Sequence, residues 1–149
     1  MLKGHAIKIL KYEQELRQTM ISYAVNPRLK TKDVIELFAS SDIRRPVDNP
    51  SRIKRMIANA DLTISAKDGR KLVGIRAVTD YSYCCYTSDL AVDKKYQSKG
   101  IGKKLLKIVQ KRLGDQVMIL LLSAPESDSF YSHIGFDKVK NAWKIPRKI

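Results

Sequence analysis

The stretch Gln97-Ser98-Lys99-Gly100-Ile101-Gly102 falls between an apolar run ending at Val92 and a helical repeat of apolar residues. Glycines at such a junction let the backbone approach a ligand with no Cβ in the way. The unpaired N–H groups of the first helical turn then point at one spot, with the positive end of the helix dipole behind them. The chemistry is anion binding, and a pyrophosphate suits it. Lys103, Lys104 and Lys107 follow within electrostatic reach of further phosphates, although a lysine-rich face also solvates an ordinary helix. The P-loop pattern G-x-x-x-x-G-K-[ST] is absent, and Leu105 stands where a dinucleotide fold would carry its third glycine. Cys84 and Cys85 are adjacent and would bridge only through a strained ring, and nothing nearby marks a lowered thiol pKa. His5 and His133 do not complete ligand spacing with them, so no metal site is expected.

The elements that must position this loop alternate in period. A first strand is expected from about Arg17 to Val25, ended by Asn26-Pro27. Thr31 is placed to cap a helix carrying Val34, Ile35, Leu37 and Phe38, with Asp33 in its first turn. Asn49 and Pro50 open a second helix whose Ile53, Met56, Ile57 and Ala60 recur at helical spacing. Leu62, Ile64 and Ala66 alternate with polar residues, Asp68-Gly69 makes a hairpin turn, and Leu72 to Val78 returns. A strand from Cys84 to Val92 leads into the glycine loop. The helix opening at Gly100 then buries Ile101, Leu105, Ile108, Val109 and Leu113 and ends at Gly114. Val117 to Leu122 reads as a strand buried on both faces and parallel to the one before, completing a βαβ unit. Ser123 and Glu126 spell a capping box for a short helix through Ser132, with Pro125 in its first turn and Gly135 as its stop. Phe136 to Pro146 is expected to close the sheet as a hairpin over Lys140-Asn141. The class is α/β, a mixed sheet with helices on its faces.

The chain of 149 residues suits a single domain over residues 1–149. Its 29 Lys and Arg against 15 Asp and Glu give +14, a surface that attracts phosphates, acidic partners or nucleic acid. At 44% hydrophobic and 30% charged it is neither disordered nor collagenous. No apolar run approaches the roughly 20 residues of a membrane helix, and Lys8 interrupts the short Ala6 to Leu10 stretch, so a cytoplasmic protein is expected.

Leu90-Ala91-Val92 followed by Tyr96-Gln97-Ser98-Lys99-Gly100-Ile101-Gly102 resembles the Q-x-x-G-x-G/A signature of the GNAT superfamily, the acetyl-CoA-dependent N-acetyltransferases. Phe130-Tyr131-Ser132-His133-Ile134-Gly135-Phe136 is similar to that superfamily's F-Y-x-x-x-G-F element, and the order of elements matches over roughly 17 to 146. Overall similarity is close to uncharacterised bacterial members. The resemblance implies a mostly antiparallel sheet in which the strand Cys84 to Val92 splays from its parallel neighbour Val117 to Leu122. Pantetheine would lie in that wedge against the backbone of Leu90, Ala91 and Val92. Gln97, Ser98, Lys99, Gly100, Ile101, Gly102 and Lys103 would hold the pyrophosphate. Tyr131 would protonate the leaving thiolate. Where many relatives carry an asparagine that contacts pantetheine, this chain has Ala124. A homodimer is the expectation by family analogy.

Acetyl transfer to an amine needs a free nitrogen lone pair, a polarised thioester carbonyl and a proton for the thiolate. A backbone N–H near Val92 is placed to polarise the carbonyl, and a phenol such as that of Tyr131 donates a proton. From the residues alone Tyr131 reads also as a packed aromatic with its hydroxyl satisfied. Asp89 is the candidate base, acting directly or through water. It reads also as a strand-end aspartate hydrogen-bonded to a loop. Strand parity sets Asp89 with Thr87 and Ala91, opposite Ser88 and Leu90, and a bulge would reverse that. His133, two residues past Tyr131, is expected to face solvent. Two other functions compete: a basic nucleic-acid-binding module, disfavoured because the charge is spread over Arg44-Arg45, Arg52, Lys54-Arg55 and the C-terminal lysines, and a CoA-binding protein without catalysis. The acceptor amine is open, with Tyr81, Tyr83 and Trp143 as candidates to line its pocket.

Overall fold

A computed structural model describes residues 6–13, 20–69 and 71–148. After a helix over 6–13 (α1), the strands β1 (Ile21–Val25), β2 (Leu62–Asp68), β3 (Lys71–Thr79), β4 (Cys84–Ala91) and β5 (Met118–Leu120) lie in chain order in one sheet. All neighbours are antiparallel except β4 and β5, which are parallel. The expected mixed α/β class stands. β1 begins at Ile21, and the residues 17–19 assigned to it from sequence lie outside the described residues.

The helices α2 (Thr31–Ser40) and α3 (Pro50–Ala58) cover one face, and α4 (Ile101–Leu113) covers the other. Asn49 caps α3 as expected, its side chain accepting from the Arg52 N–H at 3.0 Å. Thr31 does not cap α2: Lys30 holds that position, with no side-chain hydrogen bond. With helices on both faces, β2 loses the expected alternation, and Leu62, Thr63, Ile64, Ser65 and Ala66 are all buried. The core joins Val34, Leu37, Phe38 and Ile53 beneath α2 and α3 to Leu105, Leu106 and Val109 of α4. Leu106, outside the expected stripe, is buried beside Leu105.

The C-terminal region departs most from expectation. β5 has three residues and is not buried on both faces: Met118 and Leu122 are 59% and 56% exposed. No strand forms between 136 and 148, so the closing hairpin is missing, and Trp143 and Ile145 are each 97% exposed. Without that hairpin β5 is the edge of the sheet, which is why Met118 stays in solvent while Ile119 and Leu120 are only half-buried.

Candidate active site

β4 and β5 pair only at Cys84 with Met118, Cys85 with Ile119 and Tyr86 with Leu120. Beyond Leu120 the chain leaves the sheet while β4 runs on to Ala91, so a wedge opens along β4 from Thr87 onward. On the other edge of β4, Ala77 pairs with Thr87 but Arg76 pairs with Asp89, which makes Ser88 the extra residue of a bulge. The bulge falls where the wedge begins. It also corrects the expected parity: Asp89 lies with Arg76 and Thr63 on the α2/α3 face, opposite Thr87.

The glycine loop is braced against the end of β4. Asp93 accepts from the Lys95 N–H at 2.9 Å and pairs with Lys71 at 2.9 Å. Burial pushes the Asp93 carboxyl up, but hydrogen bonds from Lys71 and from the Lys95 N–H outweigh it and bring the pKa down to about 2. The Gln97 amide donates to the Val92 carbonyl at 3.0 Å, tying the loop to the last residue of the wedge. The Lys99 ammonium stands 5.2 Å from the centre of the Tyr96 ring, and the Tyr96 hydroxyl donates to Asp68 at 2.7 Å. Ser98 and Gly100 are left-handed, with φ of 61° and 79°. That geometry suits glycine at position 100, the N-cap of α4. Lys104 N bonds to Gly100 O at 3.0 Å and is the first amide to close the helix ladder. The N–H groups of Ile101, Gly102 and Lys103 therefore have no intrahelical partner and point out of the helix end. Lys103, Lys104 and Lys107 are exposed on the same helix.

Gly102 has a second reason to be glycine. A Cβ there would lie 3.3 Å from Phe130 Cζ and 3.8 Å from both Leu90 Cδ2 and Val92 Cγ2. Phe130 thus seats the short helix α5 (Asp128–His133) against the start of α4 and the end of β4. Tyr131 follows, its ring edge-on to Phe130 at 5.1 Å and to Phe136 at 5.7 Å. Burial pushes the Tyr131 phenol above its ordinary pKa of 10.0, so the hydroxyl keeps its proton at neutral pH. The expected capping box is absent: Ser123 donates to Asp128 at 2.9 Å, and the helix is entered through a 3-10 turn over Pro125–Ser127. Ala124 contributes its carbonyl, which accepts from the Ser127 N–H at 2.9 Å. His133 is exposed, as expected. Cys84 is exposed, and Cys85 is buried with its thiol pKa pushed up by that burial. Tyr81, Tyr83 and Trp143 are exposed.

Asp89 is only 2% exposed, and both of its oxygens are taken. Arg45 Nε donates to Oδ1 and Arg76 Nε to Oδ2. The same guanidiniums reach Ser88: Arg45 Nη2 donates to its carbonyl at 2.7 Å, and Arg76 Nη2 to its hydroxyl. Neither arginine stood out as a site residue in the sequence. Arg76 carried a signal all the same, a charge inside the run Leu72 to Val78 that must find a partner if that strand is buried.

A splayed parallel pair beside a glycine-opened helix is matched by known proteins. The family model of the acetyltransferase (GNAT) domain matches residues 32–144. This chain belongs to the GNAT acetyltransferases. It is 32% identical over 115 residues to an uncharacterized N-acetyltransferase, ycf52, of Gracilaria tenuistipitata var. liui, a match that takes in 70% of this chain and 62% of the relative. The chain thus spans less than two thirds of that curated relative. Among solved structures it superposes on a protein of unknown function from meticillin-resistant Staphylococcus aureus with a TM-score of 0.76 at 18% identity, over 87% of this chain and 100% of the other. It also superposes on the aminoglycoside N-acetyltransferase AAC(6')-Iy, solved in complex with CoA, with a TM-score of 0.66 at 12% identity, over 87% and 95%. These two likenesses show that the fold is the GNAT fold. No helix among the described residues is long and apolar enough to cross a membrane.

Proposed function

We propose that this GNAT protein moves the acetyl group of acetyl-CoA directly to a primary amine, of a small molecule or a protein. The observation that carries the reading is the bulged, splayed β4, whose open edge runs straight into a loop with unpaired helix N–H groups. Pantetheine lies along Leu90, Ala91 and Val92. The pyrophosphate sits at Gln97 to Gly102, with Lys103 adding positive charge. A β4 N–H beyond the bulge polarises the thioester carbonyl. The amine nitrogen attacks the carbonyl carbon, the C–S bond breaks, and Tyr131 gives its proton to the departing thiolate. The amine's own proton leaves to solvent, and the phenolate regains one. Asp89 serves as the anchor of the bulge in this scheme rather than as the base, because arginines hold both of its oxygens.

A homodimer completes the reading. The free edge of β5 and the exposed Trp143 and Ile145 support a second copy of this chain as the partner.

Incubation of the protein with acetyl-CoA and a panel of primary amines, followed by thiol release, tests the reaction. Amine-dependent thiol release with a matching acetylated product is expected. Micromolar acetyl-CoA binding without turnover on any amine would leave a CoA-binding protein. Salt-sensitive DNA binding with no acetyl-CoA binding would favour the nucleic-acid module.

A further inference from the structure

The Ser88–Asp89 bulge is held from two sides. Arg45 comes from the loop joining α2 to α3, and Arg76 from β3. Each guanidinium spans both bulge residues, Arg45 through the Ser88 carbonyl and Asp89 Oδ1, Arg76 through the Ser88 hydroxyl and Asp89 Oδ2. A bulge leaves one residue out of the ladder, so its backbone direction is set by whatever else binds it. Here two planar forks do so, partly shielded, with the arginine side chains 25% and 19% exposed. Packing alone would not require this, since a buried ion cluster is seldom a net source of stability and an apolar pair would fill the space. A charge cluster does specify direction. Its place matters: the bulge lies two residues beyond the last β4–β5 pair, Tyr86 with Leu120, and just before Leu90, Ala91 and Val92.

We infer that Arg45 and Arg76 are positioning residues for acetyl transfer. They fix the bulge, and through it the direction in which the β4 backbone beyond it presents its N–H to the thioester carbonyl. The inference rests on the acetyl-transfer reading above. It also ties the α2–α3 loop to the reacting strand, so movement of that loop would be felt at the carbonyl.

Arg45→Gln and Arg45→Lys test it. Lysine keeps the charge opposite Asp89 and so protects folding, but it lacks the fork that spans both residues. The expected result is a kcat about 10- to 100-fold lower in both variants, the scale of a slightly misplaced reacting group, with KM for acetyl-CoA near native. The melting temperature of Arg45→Lys stays near native. With acetyl-CoA labelled by ¹³C at the carbonyl, the infrared band of the bound thioester shifts to lower frequency on native protein, and much of that shift is lost in both variants. Amide exchange rises in residues 88–92 and not across the sheet. Native kcat and a native carbonyl band in Arg45→Lys would overturn the inference, as would a kcat that falls only in step with the melting temperature. The infrared readout needs no acceptor: a native protein that binds and polarises acetyl-CoA yet acetylates no amine defeats the acetyl-transfer reading while the variants still decide the clamp. A native protein that fails to bind acetyl-CoA defeats both.

Discussion

Tyr131 carries the proton chemistry of the proposal, and its surroundings favour the protonated phenol. Its ring packs edge-on against Phe130 and Phe136, and burial raises its pKa. Tyr131→Phe keeps those packing contacts and removes only the donor. Its kcat is expected to fall by about 10²- to 10⁴-fold with KM for acetyl-CoA little changed, as for a group that acts mainly in the transition state. A tyrosine that only packs would lower the melting temperature and leave turnover near native, and both quantities are measurable on one preparation. Asp93 makes a separate prediction about pH. Its folded pKa of about 2 lies below the ordinary 3.8. Its contribution to stability is therefore fully present above about pH 4 and is lost as pH falls through 2. Asp93→Asn is expected to be less stable than native at pH 6, and the gap in urea midpoint should narrow between pH 4 and pH 2. An unchanged gap would remove Asp93 from the acid response. At this scale the glycines of the loop were legible from sequence, since a Gly-x-Gly between strand and helix has few physical uses. The fate of Asp89 was not, because its two partners lie 44 and 13 residues away in the chain.

Among the elements, α4 and α5 are coupled through Gly102. The sequence motivates that glycine as room for a pyrophosphate, and the structure adds Phe130, whose Cζ a Cβ at position 102 would meet at 3.3 Å. Gly102→Val is expected to weaken acetyl-CoA binding by more than about tenfold, or roughly 1.4 kcal/mol, and to displace Phe130 and with it Tyr131. Calorimetry of acetyl-CoA binding to a folded variant checks this, and a native dissociation constant would remove Gly102 from the site. Periodicity placed α3, α4 and the β2–β3 hairpin well because each carries a strong local signal: Asn49-Pro50, Gly100 with Gly114, and Asp68-Gly69. The reading of β5 failed for a nonlocal reason. Six apolar residues from Val117 to Leu122 describe a buried strand only if something pairs on its far edge.

For the whole molecule, the open edge of β5 and the exposed C-terminal segment carry the consequence. An unpaired edge beside Met118 and Leu122, on a chain that also exposes Trp143 and Ile145, invites pairing with another chain. Light scattering is expected to give twice the 17.0 kDa mass of one chain. Trp143→Ser with Ile145→Ser is expected to return the protein to monomer, and a monomeric native protein at micromolar concentration would end the dimer reading. In the proposed reading the +14 charge attracts phosphates to the loop.

From its residues alone the chain declares a mixed α/β sheet, a glycine-opened strand–loop–helix junction and the two GNAT motifs, because turn glycines, caps and periodicity act over a few residues. Tertiary structure alone decided which face of β4 bears Asp89, since one inserted residue at Ser88 reverses the alternation. It alone joined Arg45 and Arg76 to that carboxylate and laid Phe130 over Gly102. It also left β5 at an edge. Each of these depends on groups distant in sequence meeting in space, where a buried charge must find a partner and a strand is buried only by what packs against it.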